Sequence, residues 1–239
     1  MKPDLVIALD IPVSEEIAPV LDALPEETAW YKVGLELFSA AGPDCLKALK
    51  SRGKNIFLDL KLHDIPRTVS RAVDRLSCLG VSLITVHASG GRAMLEAAAN
   101  AARRHGSSAP RIAAVTLLTS LDDNDLACMG ISGKTEQHAM ALARLAVEEG
   151  IDGVVCSAKE TALFRSELGP DALIVTPGIR PSGSPAGDQK RVVTPAEAVR
   201  AGANLLVVGR PILQAENPRA AAERVLAEIA SATADRGSK

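Results

Sequence analysis

The sequence predicts a single-domain α/β protein, a closed (β/α)8 barrel, and three observations lead there. Short runs rich in Val, Ile and Leu alternate with longer stretches of helical period along the whole chain. The runs are continuously apolar, which marks parallel strands buried on both faces. Eight such strand–helix units fit within 239 residues, a length at which a barrel closes as one unit. A doubly wound open sheet is the runner-up, and it usually needs fewer strands. No linker, repeat or low-complexity stretch divides the chain, so 1–239 is read as one domain.

In order, the first strand is LVIALD from Leu5, followed by the helical stretch SEEIAPVLDAL. YKVGLEL from Tyr31 and NIFLDLKL from Asn55 are the second and third. SLITVHA from Ser82 leads into GGRAMLEAAANAARRHG. RIAAVTLL from Arg111 is followed by a long loop, TSLDDNDLACMGISGK, and by the helical KTEQHAMALARLAVEEG. GVVCS from Gly153 is the sixth strand and ALIVTPGI from Ala172 the seventh. After it comes RPSGSPAGDQKRVVTP, whose Gly, Pro and Ser give it the character of a mobile lid over the barrel mouth. NLLVVGR from Asn204 is the eighth strand, and AAAERVLAEIASATA closes the pattern. The tail ATADRGSK is expected to fray.

Composition narrows the function. A net charge of −2 and the lack of any Lys/Arg run argue against nucleic-acid binding. One Trp, one Tyr and three Phe are too few for base-stacking platforms. Cys45, Cys78, Cys128 and Cys156 form no CxxC pair, so neither a zinc site nor a disulfide framework is expected, and a reducing cytoplasm fits. The apolar run near the N-terminus is cut short by Asp10 and Pro12, and no run approaches a membrane span.

The stretch FLDLKLHDI, Phe57 to Ile65, breaks the apolar rule. It places Asp59 and Lys61 near the end of a buried strand and Asp64 three residues on. Charges there are costly unless paired. Barrel enzymes build their sites at the C-terminal strand ends, and the polar residues of this chain gather there. Strand one ends at Asp10, strand two carries Lys32, strand four ends at His87, and strand five runs out to Thr119 and Ser120. Residues two apart share a face, so Asp59 and Lys61 point inward together while Leu58 and Leu60 face the helices. Lys32, one strand over, is within reach of Asp59. An ion-pair network that only fixes the core is the competing reading; the rim position and the further charges favour chemistry.

TPGIR on strand seven and VVGRPI on strand eight suggest a phosphate site. Glycine at these ends lets backbone N–H groups approach an anion, and Arg210 adds a forked cation. Gln189 and Arg180, from the seventh loop, are placed to close over the same group. His87 reads as a neutral histidine bonded within the mouth in preference to a general base, and His63, His105 and His138 as surface or helix residues. No His, Asp or Glu grouping has metal-ligand spacing.

Taken together these segments resemble the orotidine 5'-phosphate decarboxylase family, TIM barrels that make UMP. DLKLHDIPRT, Asp59 to Thr68, resembles the family signature, and ALDIP, YKVGLELF, VHASGG, LTS, TPGIRP and VVGRPI follow in the family's order. The DxKxxD pattern alone is shared with sugar-phosphate decarboxylases and synthases; the extension to DIPRT is more specific. The resemblance implies that Lys61 protonates C6 of the pyrimidine and that Asp59 sits beside the substrate carboxylate. Lys32 and Asp64 complete the charge network, and Asp10 and Lys32 hold ribose hydroxyls. Thr119 and Ser120 contact the pyrimidine, while Gln189, Gly209 and Arg210 hold the phosphate with Arg180 close by. It also implies a homodimer whose active sites are shared, Asp64, Ile65 and Thr68 serving the partner's substrate.

Loss of CO2 from C6 leaves an electron pair with no adjacent sink, and the chain shows no pyridoxal phosphate, thiamine or metal motif. The resemblance therefore implies a cofactor-free reaction driven by a preplaced cation. Two alternatives stay open: a Mg2+-dependent sugar-phosphate decarboxylase or synthase on the same barrel, and a non-catalytic barrel that binds a phosphate ligand.

Overall fold

The computed structural model describes residues 2–181 and 193–237. Eight parallel strands close on one another in chain order: β1 Asp4–Ala8, β2 Trp30–Gly34, β3 Asn55–Leu62, β4 Leu83–His87, β5 Arg111–Val115, β6 Gly153–Val155, β7 Leu173–Pro177 and β8 Leu205–Val208. The closing seam pairs Asp4 with Leu205 and Ile7 with Val208. Closure removes both sheet edges, and the (β/α)8 architecture is the one the alternating pattern predicts.

Two apolar layers follow from strand alternation. The outward set, including Leu5, Ile7, Leu58, Ile84, Ile112, Ile174 and Leu206, packs under the helices. The inward set, including Val6, Phe57, Leu83, Ala113, Leu173, Val175, Leu205 and Val207, fills the barrel, with Trp30 and Val155 packed against it. Filling has a tight point at Gly153: a Cβ there would lie 1.9 Å from the Leu173 carbonyl oxygen, so strands β6 and β7 approach as closely as they do only because no side chain intervenes.

Four local readings change. β2 stops at Gly34, and Leu35–Ala41 is a helix, where the sequence reading ran the strand on to Leu37. Leu, Glu and Ala are strong helix formers, and the β-branched residues end at Val33. The long loop after β5 contains a helix, Asp123–Cys128, opened by a capping box between Asp122 and Asp125. Six residues are too few to show a helical period in sequence. The last helix, Pro218–Gly237, continues through most of the tail expected to fray. Ile229 and Ala232 are buried against the barrel, and Arg200 pairs with Asp235 at 3.5 Å. His105, read as a surface or helix residue, lies half-buried just past helix Arg92–Arg103, and its Nε2 sits 3.1 Å from Asp74 Oδ1.

Beyond β7, Ile179 and Val193 form a single parallel bridge, and Arg180 N–H donates to the Val193 carbonyl at 3.1 Å. The two ends of the seventh loop are thereby tied together at the barrel rim. Gln189 and most of the segment read as a lid lie outside the described residues.

β3 departs from regular pairing. Leu58 is in register with Ile84 and Leu62 with Val86, so four residues of β3 advance against two of β4. Such a bulge re-aims side chains, and it falls on the Asp59–Lys61 stretch.

Candidate active site

The inward face of the barrel changes from apolar to polar over two residues. Trp30 is followed on the same face by Lys32, Phe57 by Asp59, Leu83 by Thr85 and Ala8 by Asp10. The apolar fill thus forms a floor, and the next layer toward the strand C-termini is ionic.

Asp59 is at its centre. Lys61 Nζ donates to Asp59 Oδ2 at 2.8 Å, and Lys32 Nζ lies 3.9 Å from the same oxygen. Lys32 Nζ also lies 3.2 Å from Asp10 Oδ1. The other oxygen, Oδ1, accepts from the Thr85 hydroxyl at 2.9 Å. The side chains of Asp59 and Lys32 are each 13% exposed and that of Lys61 is 30% exposed. At that burial, removal of one partner would leave a charge poorly compensated, a change that typically costs several kcal/mol, ~3–5 for a fully buried pair. Lys61 itself has φ 50°, the one positive value for a non-glycine residue among those described.

Beside the cluster an open cavity of about 170 Å³ is lined by Asp10, Lys32, Gly178, Arg180, Gly209 and Arg210, among others. Gly209 follows β8 and precedes the short helix Arg210–Leu213. A Cβ on it would come within 3.0 Å of Asp10 Oδ2 and 3.3 Å of Ala8 Cβ, so glycine keeps this wall open. Gly178 has φ 78°, a left-handed turn that carries the chain from β7 toward Arg180. Arg180 is nearly buried and Arg210 is exposed, so one cavity joins two guanidinium groups to the Asp10–Lys32 end of the ionic layer.

A model of the orotidine 5'-phosphate decarboxylase / HUMPS family matches residues 3–225. The chain belongs to that family. It is 47% identical over 233 residues to the orotidine 5'-phosphate decarboxylase of Opitutus terrae, covering 97% of this chain and all of the relative. It is 49% identical to that of Moorella thermoacetica, covering 95% and 92% of the two chains. A crystal structure of the Lactobacillus acidophilus orotidine 5'-phosphate decarboxylase superposes with a TM-score of 0.85 at 38% identity, covering 96% of this chain and 99% of that one.

Within this family member, the structure brings together Asp10, Lys32, Asp59, Lys61, Arg180, Gly209 and Arg210. Of the remaining predicted residues, those described make no hydrogen bond or ion pair to this group. Asp64 is exposed, and its Oδ1 accepts from Ile65 N–H at 2.7 Å. Among the described residues no ion pair links it to the Asp59 cluster. Ile65 and Thr68 are exposed beside it, and Thr119 and Ser120 lie in an exposed turn beyond β5. Gln189 is outside the described residues. Thr85 was missed by the sequence reading. Threonine is an ordinary strand former, and its only signal is the inward phase it shares with His87, two residues on.

His87 stands above Thr85 at the end of β4. Its ring lies 5.3 Å from that of His63, which leaves β3 from the exposed side. Burial lowers the His87 pKa below its ordinary 6.5, and the neighbouring His63 and Lys61 lower it further while Asp59 opposes them. The unfolded chain therefore binds more protons than the folded one as the pH falls through 6.5. The His87 contribution is fully present above that pH and is lost below it. Tm measured from pH 8 to pH 5 is expected to fall less steeply on the acid side for His87→Asn than for the parent; parallel curves would contradict the assignment.

Proposed function

We infer that this chain decarboxylates orotidine 5'-monophosphate to UMP and CO2, as a carboxy-lyase of pyrimidine nucleotide synthesis. The observation that carries the reading is the ionic layer around Asp59, at one end of a cavity that also holds two arginines, in a chain nearly half identical to named decarboxylases over its full length. The Mg2+-dependent sugar-phosphate alternative is not favoured by those relatives. Among the described residues no group of three or more His, Cys, Asp or Glu is arranged to hold a metal ion.

The roles are those that the family resemblance implies, and the lining of the cavity supports them. The phosphate sits against Gly209, Arg210 and Arg180. The ribose hydroxyls meet Asp10 and Lys32, whose side chains line the same cavity. The pyrimidine then lies over Asp59 and Lys61, with Thr119 and Ser120 toward its polar edge. The C6–carboxylate bond breaks, CO2 leaves, and the electron pair stays on C6. The Lys61 ammonium, held in place by Asp59, faces that pair before it forms and then gives it a proton. Solvent returns the proton to the neutral amine. The two arginines act at a distance from C6: binding energy gained at the phosphate holds the ring where Lys61 can act, and so raises the rate as well as the affinity.

The site is completed in a homodimer. Exposed apolar residues cluster at the strand C-terminal ends, with Leu35 after β2, Ile65 after β3, and Leu118 and Met129 after β5. A second copy seated on that rim would cover them and carry its Asp64, Ile65 and Thr68 toward this chain's ionic layer. The whole barrel acts as one catalytic unit and works in the cytoplasm; no described helix is long and apolar enough to cross a membrane.

Protein treated with EDTA is expected to convert orotidine 5'-monophosphate to UMP at the untreated rate, followed by ultraviolet absorbance. Lys61→Ala is expected to lose roughly 10³-fold or more in kcat while remaining folded. Absence of turnover by the folded parent protein would overturn the reading. The dimer has its own test in mixed variants. Lys61→Ala and Asp64→Ala, each nearly inactive, are expected to recover about a quarter of the parent rate on re-equilibration, since half of random pairs are hybrids with one intact site. No recovery would mean that Asp64 serves its own chain.

A further inference from the structure

We propose that Thr85 is a positioning residue for the decarboxylation, acting through Asp59 and Lys61 at once. The inference rests on the reaction assigned above and deepens it.

Thr85 sits mid-strand in β4, wholly buried, one inward step below His87. Its hydroxyl has one proton to give and lone pairs to accept with. It gives the proton to Asp59 Oδ1 at 2.9 Å and accepts the Lys61 backbone N–H at 2.9 Å. The second bond falls where the β3–β4 ladder fails. Between the Leu58–Ile84 and Leu62–Val86 pairs, β3 has two residues too many, and a regular backbone partner for Lys61 N–H is lost. A buried N–H left without a partner is costly, and the Thr85 side chain supplies the acceptor the strand cannot.

The same contact holds an unfavourable backbone. Lys61 has φ 50°, the left-handed region in which a Cβ crowds the following carbonyl. Such a conformation persists only where its surroundings over-determine it. Here it is fixed at both ends of the residue: the N–H is tied to Thr85, and Nζ is tied to Asp59 Oδ2. Asp59 is in turn held through its other oxygen by the same hydroxyl. Thr85, Asp59 and Lys61 thus form a closed ring of three hydrogen bonds, with the hydroxyl at the corner that substrate does not touch. Lys32, itself paired with Asp10, contacts the ring from one side and His87 stands over it, yet none of them reaches the Lys61 backbone among the described contacts.

This arrangement makes a specific claim about rate. Removing the hydroxyl frees the Asp59 carboxylate to rotate and Lys61 to relax its backbone, so Nζ is displaced from the position facing C6. The phosphate contacts at Arg180, Gly209 and Arg210 lie elsewhere and are left intact, and Lys32 keeps its closer partner, Asp10. The loss therefore appears in kcat and not in ground-state binding.

The test compares Thr85→Val, Thr85→Ala and Thr85→Ser with the parent in steady-state turnover of orotidine 5'-monophosphate, with UMP binding measured by calorimetry. The hydroxyl-free variant that binds UMP within about three-fold of the parent is the one scored, so a variant that fails to fold is set aside by its lost UMP affinity. Its kcat is expected to fall ten-fold or more with KM little changed, and Thr85→Ser is expected to restore kcat to within about three-fold of the parent. An unchanged kcat in the scored variant would overturn the proposal. So would an equal loss in Thr85→Ser, or a loss carried by KM. If no hydroxyl-free variant binds UMP, Thr85 is a folding residue and the positioning role is overturned. Failure of the parent itself to turn over would instead strike the assigned reaction.

Discussion

A carboxylate removed from water must be matched by donors, and in this barrel nearly everything of consequence is arranged around one such group. Asp59 lies on the inward face of β3, directly above the apolar fill. Lys61 and Lys32 approach one of its oxygens and Thr85 donates to the other. These side chains come from the adjacent strands β2, β3 and β4, so the fold places the donors before any substrate arrives. The cost of holding these charges together is met by the fold. In return, an ammonium group stands fixed and partly desolvated at the mouth, which is what a carbanion with no internal electron sink requires.

The division of labour across the mouth follows from the same architecture. β2 and β3 carry the charges of the ionic layer and β4 the hydroxyl that meets them, while β7 and β8 deliver Arg180, Gly209 and Arg210 to a cavity beside them. Asp10 and Lys32 stand between the two regions and belong to both. A ligand with an anionic group at one end and its reacting carbon at the other can span this distance. Gly209 keeps the wall open where a side chain would collide with Asp10 or Ala8.

Much of this was legible in the sequence, for reasons specific to each part. The eight strands could be read because parallel strands buried on both faces are continuously apolar, and because charges inside FLDLKLHDI contradict that pattern so sharply. The family could be read from DLKLHDIPRT in company with VVGRPI and TPGIRP. What escaped was geometry that depends on pairing between strands. The β3–β4 bulge and the left-handed backbone of Lys61 leave no compositional mark, and Lys is not a residue that advertises positive φ. Thr85 was hidden because a threonine in a strand is unremarkable until its hydroxyl is seen to bridge Asp59 and Lys61. The helices Leu35–Ala41 and Asp123–Cys128 escaped because they are shorter than the window in which a period can be recognised. Asp64, Ile65 and Thr68 stand exposed after β3, with no ion pair to the Asp59 cluster among the described residues.

The central claim is that Lys61 stabilises an electron pair at C6 and delivers a proton to it. By microscopic reversibility the same group must also remove that proton from bound UMP. The most direct measurement is proton NMR of UMP incubated with the protein in D2O, following the H6 resonance. The account predicts slow enzyme-dependent loss of the H6 signal with no change at other ring positions, and its disappearance in Lys61→Ala. Absence of H6 exchange with a fully active parent protein, or exchange that persists unchanged in Lys61→Ala, would contradict it.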